Sequence, residues 1–285
     1  MSTPVSIPEL LRTAQEARRT VIMGVLNVTP DSFSDGGLHT SVEQAVEHGC
    51  RMAEEGAQII DVGGESTRPG AAPVPLEEEL RRTIPVIEAL SRYCSACISI
   101  DTRKAAVARK AWRAGAVMIN DVSAMTHDPG MADVVLETGA AVCLMHMRGT
   151  PETMQQHPTY DDVVREVRDY LAERARYAQS LGIGCERIIL DPGIGFGKTL
   201  QHNLELLRHL DVLAALGFPV LVGTSRKSML GILLDGAPPN DRLEGTAATV
   251  ALAIAKGATI VRVHDVRAMA RVARVADAVV RGLRV

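Results

Sequence analysis

The chain has 285 residues, and its apolar runs repeatedly end in polar side chains. The clearest case is the segment 188–198, where Ile-Ile-Leu is followed by Asp191, by Pro192 and then by three glycines at alternate positions. Because this proline and these glycines disfavour both a helix and a continuing strand, we predict a buried strand that ends at Asp191. A carboxylate at that point either caps the following loop or binds a ligand, and this segment alone leaves both readings open. Comparable polar residues follow the other apolar runs: Asn27, Asp61, Glu65, Thr67, Arg68, Asp101, Asn120, His146, Ser225, Lys227, Arg262 and His264.

Four of these residues suit recognition of a flat heterocycle. They are Asp101, Asn120, Asp191 and Lys227. Carboxylates accept, an amide both donates and accepts, and an ammonium donates, which matches a ring edge that carries amino, N–H and carbonyl groups. A ring that lacked the donors would leave a carboxylate buried and unpaired, at a cost in binding.

A second set suits an anion. Arg68, Arg262 and His264 are basic, and a guanidinium grips phosphate oxygens through two parallel hydrogen bonds. Asn27 offers an amide oxygen to Mg²⁺, which commonly binds through a few protein ligands, water and substrate phosphates. The two sets together indicate a phosphorylated heterocycle without choosing a reaction.

The elements that must position these residues alternate regularly along the chain. Strands are predicted at 21–29, 58–64, 97–101, 117–121, 141–146, 188–191, 220–225 and 259–265. Helices are predicted at 8–19, 41–56, 76–93, 104–114, 131–137, 161–181, 202–213, 242–256 and 266–282. Eight strand and helix units in a chain of this length predict an α/β protein with a single (β/α)₈ barrel, the TIM barrel, over 21–285. Residues 1–20 form a leading segment whose role the sequence does not define.

The competing fold is a doubly wound open sheet. No strand is followed by the G-x-G-x-x-G fingerprint of such sheets, and Pro192 stands where a phosphate-binding P-loop needs glycine. In a barrel the C-terminal ends of the parallel strands meet at one rim, so the polar strand ends converge there. We therefore predict a site on that rim.

Composition narrows the class of protein. A hydrophobic content of 46% supports a large core, while a net charge of −3 and a pI near 6.3 give no electrostatic case for binding nucleic acid or an anionic membrane. The five cysteines are odd in number and scattered, as in proteins of reducing compartments, and the single Cys94-x-x-Cys97 pair favours burial over a zinc site. No secretory signal and no apolar stretch of the ~18 residues that span a bilayer is found, so we expect a cytoplasmic protein.

Seven segments resemble the signature segments of bacterial dihydropteroate synthases, and they occur in the order of that family. They are NVTPDSFSDGG (27–37), DVGGESTRPG (61–70), SIDT (99–102), INDVS (119–123), DPGIGFGK (191–198), SRKS (225–228) and RVH (262–264). The resemblance covers nearly the whole chain. It implies condensation of 6-hydroxymethyl-7,8-dihydropterin pyrophosphate with p-aminobenzoate to 7,8-dihydropteroate and pyrophosphate, with Mg²⁺ as cofactor, a homodimer, and sulfonamides as mimics of p-aminobenzoate.

The resemblance also implies roles for individual residues. The pterin ring is held by Asp101, Asn120, Asp191 and Lys227, lined by Met145 and Phe196 and stacked on by Arg262. Pyrophosphate is held by Thr67, Arg68, Arg262 and His264, with Asn27 as the Mg²⁺ ligand. Ser225, near the start of a helix, takes the p-aminobenzoate carboxylate, and the loops with Phe33, Asp35, Arg68 and Pro69 close over that substrate.

Several alternatives stay open beside this reading. Asp101 and Asp191 could cap the loops that follow their strands, and Met145 could be a residue of the core. Lys227 could be the Schiff-base lysine of an aldolase. Asp61 and Glu65 could order loops without touching a ligand. Two other classes are a methyltetrahydrofolate:corrinoid methyltransferase, which has no pyrophosphate to bind, and a non-catalytic pterin-binding homologue.

Overall fold

A parallel barrel forms the centre of the molecule. The computed structural model describes residues 6–28, 38–66 and 71–282, with the backbone alone for 38–41. The strands are β1 (Val21–Asn27), β2 (Ile59–Gly63), β3 (Cys97–Asp101), β4 (Met118–Asp121), β5 (Ala141–Met145), β6 (Ile188–Asp191), β7 (Leu221–Val222) and β8 (Ile260–Val263). They pair in parallel in the order β6-β5-β4-β3-β2-β1-β8-β7. A parallel bridge between Leu190 and Val220 joins the two ends of this sheet, which confirms the predicted (β/α)₈ barrel.

Alternation along the strands separates two cores. In β1, Met23 belongs to a cluster inside the barrel, whereas Ile22 and Leu26 belong to the cluster between strands and helices. This period of two is what a strand covered on both faces requires, and it explains why the strand sequences read as continuous apolar runs.

Helices surround the barrel. They are α1 (Ile7–Glu16), α2 (Leu38–Glu54), α3 (Leu76–Tyr93), α4 (Ala105–Ala114), α5 (Met131–Thr138), α6 (Val163–Ser180), α7 (Leu200–Arg208), α8 (Leu210–Ala214), α9 (Ser228–Leu233), α10 (Leu243–Ala255) and α11 (Val266–Arg281). Over the described part of the chain, each helix is too short or too polar to cross a bilayer.

The leading segment closes one end of the barrel. Helix α1 begins after Ser6, whose hydroxyl accepts from the backbone N–H of Glu9. Ile7 is 1% exposed and lies in the interior cluster with Val21 and Ile260, which stand at the starts of β1 and β8. The helix therefore covers the N-terminal mouth of the barrel, opposite the rim where the strands end.

The largest differences from the predicted elements lie within residues 200–233. The predicted helix 202–213 is two helices that meet at His209, whose φ of −114° and ψ of 30° interrupt the helical path. Strand β7 ends at Val222, and the carbonyl of Thr224 accepts from the N–H of Lys227 in the turn that follows. The turn leads into α9, the short helix whose start was predicted near Ser225 but whose bounds were not.

Candidate active site

An arginine and two aspartates form an ion-paired group at the rim. Arg262 on β8 donates from Nε to Oδ2 of Asp61 at 2.6 Å and from Nη2 to Oδ2 of Asp101 at 2.9 Å. Asp61 is fully buried and Asp101 is 7% exposed. The guanidinium thus joins β8 to β2 and β3, and its two partners lie 201 and 161 residues before it in the sequence.

The amide of Asn120 belongs to the same group. Its Nδ2 donates to Oδ2 of Asp61 at 2.9 Å, and the residue is 4% exposed. Asn120 stands beside Asp101 in the pairing of β3 with β4. Two of the predicted ring-binding residues are therefore neighbours on the rim.

Asp191 ends β6, as the sequence predicts, and it shapes the loop that follows. Its Oδ1 accepts from the N–H of Gly193 at 2.7 Å, so one carboxylate oxygen caps the glycine loop 193–197. The second carboxylate oxygen, Oδ2, does not take part in this contact, so Asp191 can bind a ligand as well. At Gly193, φ is +66° and a Cβ would lie 1.9 Å from the carbonyl oxygen of His146, so only glycine fits.

Lys227 approaches the glycine loop from the start of α9. Its Nζ contacts the carbonyl oxygen of Ile194 and lies 4.5 Å from the centre of the Phe196 ring. Burial lowers the pKa of Lys227 to about 8, although the Asp191 carboxylate opposes the shift. The loop therefore brings a carboxylate, an ammonium and an aromatic ring together, and Met145 is buried beside them as the register partner of Asp191.

A buried lysine behind the loop holds it in place. Nζ of Lys198 contacts the carbonyl oxygens of His146, Gly193 and Phe196 at 3.2, 3.0 and 2.9 Å. Burial and the nearby charge of Lys198 lower the pKa of His146 to about 3, so the imidazole is neutral. Its Nδ1 can therefore accept a hydrogen bond from Nζ of Lys198 at 3.0 Å. Lys198 closes the predicted DPGIGFGK segment, yet its type and spacing gave no hint that it binds back to β5.

Burial also dominates the electrostatics of the rim carboxylates. It raises the pKa of Asp101 to about 7, with the Arg262 guanidinium limiting the rise and Asp61 adding to it. It raises the pKa of Asp191 too, against the Lys227 ammonium and the N–H of Gly193. Burial alone would lower the pKa of Arg262, but Asp61 and Asp101 outweigh it and raise that pKa. Shifted carboxylates that converge on a rim are typical of a functional site.

Ser225 and His264 meet on the other side of the rim. The hydroxyl of Ser225 lies 3.0 Å from Nδ1 of His264 and accepts from its backbone N–H at 3.1 Å. Ser225 is 5% exposed, and α9 begins three residues later, at Ser228, which is exposed. A helix therefore starts near Ser225, as predicted, and Ser225 itself contacts His264.

Asn27 ends β1 close to the aspartates. A Cβ built on Gly63 would lie 3.7 Å from Oδ1 of Asn27 and 3.6 Å from Cβ of Asp101, so the missing side chain leaves room beside that oxygen. Among the described residues no group of three or more His, Cys, Asp or Glu could hold a metal. One neutral amide oxygen fits a magnesium ion that substrate phosphates and water coordinate as well.

Glu65 is part of a salt-bridge network at the exit of β2. Its carboxylate accepts from Arg103 and from Lys104, both at 2.6 Å, and from the N–H of Val74 at 3.1 Å. Lys104 also donates to Glu79 at 2.5 Å. The network joins Val74 and the exit of β2 to the residues that follow β3.

The remaining predicted site residues lie outside the described residues: Phe33, Asp35, Thr67, Arg68 and Pro69. From the sequence, Asp61 was expected at most to order a loop. In the structure, the Asp61 carboxylate binds Asn120 and Arg262 directly. The available signal was a lone carboxylate inside an apolar strand, two residues before the strand ends.

Comparisons of sequence and structure match this chain to pterin binding enzymes and to dihydropteroate synthases. A sequence model of the family described as "Pterin binding enzyme" matches residues 23–264. A dihydropteroate synthase of Synechocystis sp. is 52% identical over 261 residues, covering 92% of this chain and 90% of the relative. The Yersinia pestis dihydropteroate synthase, solved with a sulfonamide drug complex, superposes with a TM-score of 0.86 at 46% identity, covering 92% of this chain and 94% of that one. The Xanthomonas albilineans enzyme in complex with 7,8-dihydropteroate gives 0.83 at 49% identity, covering 92% and 94%.

Proposed function

The chain belongs to the dihydropteroate synthase family of pterin binding enzymes, and on this premise we propose how its rim carries out that synthesis. The reaction joins 6-hydroxymethyl-7,8-dihydropterin pyrophosphate to p-aminobenzoate and yields 7,8-dihydropteroate and pyrophosphate. The observation that carries the proposal is the convergence of acceptors and donors at one rim. These are Asp101, Asn120, Asp191, Lys227 and Arg262.

Matching hydrogen-bond donors with acceptors assigns a protein side chain to each edge of the pterin ring. The 2-amino group and N3–H are two adjacent donors, which match a carboxylate, and the neighbouring 4-carbonyl matches an ammonium. Asp191 and Lys227 influence each other's pKa and lie on one side of the site, so they take this edge. The remaining edge, N1 with N8–H, is an acceptor beside a donor, which matches the amide of Asn120.

The leaving group lies toward β8 and β1. Arg262 supplies positive charge and N–H donors for pyrophosphate, and His264 adds a ring nitrogen beside it. Family resemblance alone adds Thr67 and Arg68 to them. Asn27 would hold Mg²⁺, and the chemistry that Mg²⁺ supplies when bound is neutralisation of the departing oxygens.

The charge pattern favours a dissociative path. The bond from the 6-methylene carbon to the pyrophosphate oxygen breaks first and leaves a cation delocalised over the electron-rich ring. The buried carboxylates of Asp101 and Asp191 offset that charge in a low-dielectric site, while Lys227 fixes the ring. The aryl amine then forms the C–N bond, and after attack its proton passes to the departed pyrophosphate, so no strong general base is required.

The second substrate carries a carboxylate, and we assign it to Ser225. Its hydroxyl lies 3.0 Å from Nδ1 of His264, so this role requires that pair to open, whereas Ser228 is exposed at the first position of α9. Comparing Ser225→Ala with Ser228→Ala shows which of the two serines binds the p-aminobenzoate carboxylate. Our assignment predicts that Ser225→Ala raises the KM for p-aminobenzoate more than Ser228→Ala does, and the reverse order contradicts it. The complex of the Yersinia pestis relative also leads us to propose that sulfonamides compete with p-aminobenzoate here.

Pyrophosphate release tests the function. We expect release that requires p-aminobenzoate and Mg²⁺ together, because a methyltransferase has no pyrophosphate to release and a binding protein turns nothing over. Release that is unchanged when p-aminobenzoate is omitted would refute the proposed condensation.

We also propose a homodimer that acts in the cytoplasm. Exposed apolar side chains on adjacent helices α10 and α11 support a contact between copies: Leu252, Val275, Val279 and Val280, with Val279 80% exposed. All five cysteines are free thiols, which supports a reducing compartment. Sedimentation velocity of the wild type and of Val279→Glu tests the dimer, which the charged variant should weaken; a wild type that sediments as a monomer would refute it.

A further inference from the structure

Asp61 lies inside the barrel, below the residues that face the substrate. It stands two residues before the end of β2, and alternation along the strand puts it on the interior face with Ile59. The residue is 0% exposed. Because none of its surface is exposed, we take its influence on the reaction to pass through its neighbours.

A single oxygen of Asp61 holds two residues of the site. Oδ2 accepts from Nδ2 of Asn120 at 2.9 Å and from Nε of Arg262 at 2.6 Å. Oδ1 has no hydrogen-bond partner within the described part of the chain. The carboxylate is therefore placed to serve the amide and the guanidinium, and it makes no other side-chain hydrogen bond that would fix its orientation.

This contact fixes the orientation of the Asn120 amide. A carboxylate only accepts, so the amide nitrogen must face it. A 180° rotation would set the carbonyl oxygen of Asn120 against Oδ2 of Asp61, where two acceptors repel and a buried hydrogen bond is lost. The carbonyl oxygen of Asn120 is thereby kept on the side away from Asp61.

We infer that Asp61 is a positioning residue that decides which end of the Asn120 amide meets the pterin ring. The inference rests on the proposed function, in which Asn120 reads the N1 and N8–H edge. With the amide locked, its carbonyl oxygen accepts from N8–H and its second hydrogen serves N1. Asp61 thus sets the polarity of recognition without touching the substrate.

The variant Asp61→Leu tests the lock with little change in volume. Leucine offers no acceptor to the Asn120 amide, so the amide is free to turn and to set its nitrogen against N8–H. Two donors then meet at N8–H. We expect the dissociation constant of 6-hydroxymethyl-7,8-dihydropterin, measured by calorimetry, to rise about tenfold or more.

Asp61→Asn separates the lost acceptor from the change of side chain. Its carbonyl oxygen can take the place of Oδ2, which accepts from both Asn120 and Arg262, so both contacts remain and the amide of Asn120 keeps its direction. We expect this variant to bind the ring with near wild-type affinity. Asp61→Ala, which removes the acceptor without adding bulk, keeps the comparison informative if Asp61→Leu does not fold.

Asp277→Leu is the matched control. Asp277 is a buried carboxylate at 5% exposure that accepts from the N–H and the hydroxyl of Thr20, both at 2.7 Å, on α11. It shares burial and bonding with Asp61 but lies away from the rim, so ring affinity should stay at the wild-type value.

Two results would overturn the inference. One is ring binding by Asp61→Leu or Asp61→Ala that equals the wild type, and the other is an Asp61→Asn variant that binds the ring as weakly as they do. Synthesis of dihydropteroate by the wild type is measured in parallel. Its absence would count against the proposed function, whereas the ring titrations report on Asp61 by themselves.

Discussion

Replacing Asp191 with asparagine should nearly abolish synthesis while leaving the barrel folded. The asparagine retains an oxygen for the N–H of Gly193, which Asp191 holds at 2.7 Å, so the glycine loop keeps its cap. What is lost is the charge and one acceptor. A ring donor then faces an amide hydrogen, and the buried ammonium of Lys227 loses the largest charge that favours its protonated form.

The size of the effect follows from these two losses. A hydrogen bond to a charged group contributes roughly 1.5 to 3 kcal/mol. Two such contacts at the lower bound amount to about 3 kcal/mol, which corresponds to a fall of about 150-fold in kcat/KM.

Steady-state kinetics with the pterin substrate varied measures this fall, and circular dichroism with thermal unfolding checks the fold. Asp211→Asn, which changes an exposed aspartate on α8, is the control and should keep wild-type kinetics. A folded Asp191→Asn variant with near-normal kcat/KM would refute the role assigned to this carboxylate.

Two further predictions concern protonation and the glycine loop. The pH profile of kcat/KM should be bell-shaped, because Asp101 must be ionised and Lys227 protonated: activity should fall below about pH 7 and above about pH 8. A profile that stays flat through both values would contradict it. Gly193→Ala should destabilise far more than Gly217→Ala in urea unfolding. Both residues have positive φ, +66° and +83°, but only at Gly193 would a Cβ strike backbone, at 1.9 Å. Alanine at 217 should cost roughly 1 to 2 kcal/mol from the backbone conformation alone, and equal costs at the two positions would refute the close-contact argument.

The sequence predicted those site residues that stand where an apolar run stops. Asp101 and Asp191 are each the last residue of a strand, and parallel strands bring such ends to one rim whatever their separation in the chain. The pattern of alternating strands and helices was enough for the barrel itself. Its closure, through the bridge from Leu190 to Val220, follows from that pattern as well.

Residues that act through tertiary contacts were beyond the sequence. Lys198 follows a glycine loop like any solvated lysine, and only the fold places its Nζ against the carbonyl oxygen of His146, 52 residues earlier. Asp61 is paired with Arg262, 201 residues later, so no local pattern could reveal that contact. The bounds of α9 were not predicted, because the turn at Thr224 depends on a backbone hydrogen bond that residue types do not specify.

The most direct test of the central claim is the product balance of the purified wild-type protein. Incubation with 6-hydroxymethyl-7,8-dihydropterin pyrophosphate, p-aminobenzoate and Mg²⁺ should yield 7,8-dihydropteroate and pyrophosphate in equal amounts. Mass spectrometry measures the dihydropteroate, and a phosphate assay after treatment with pyrophosphatase measures the pyrophosphate. Neither product should accumulate when p-aminobenzoate is left out. Pyrophosphate formed without dihydropteroate, or no turnover of the pterin substrate at all, would contradict the account.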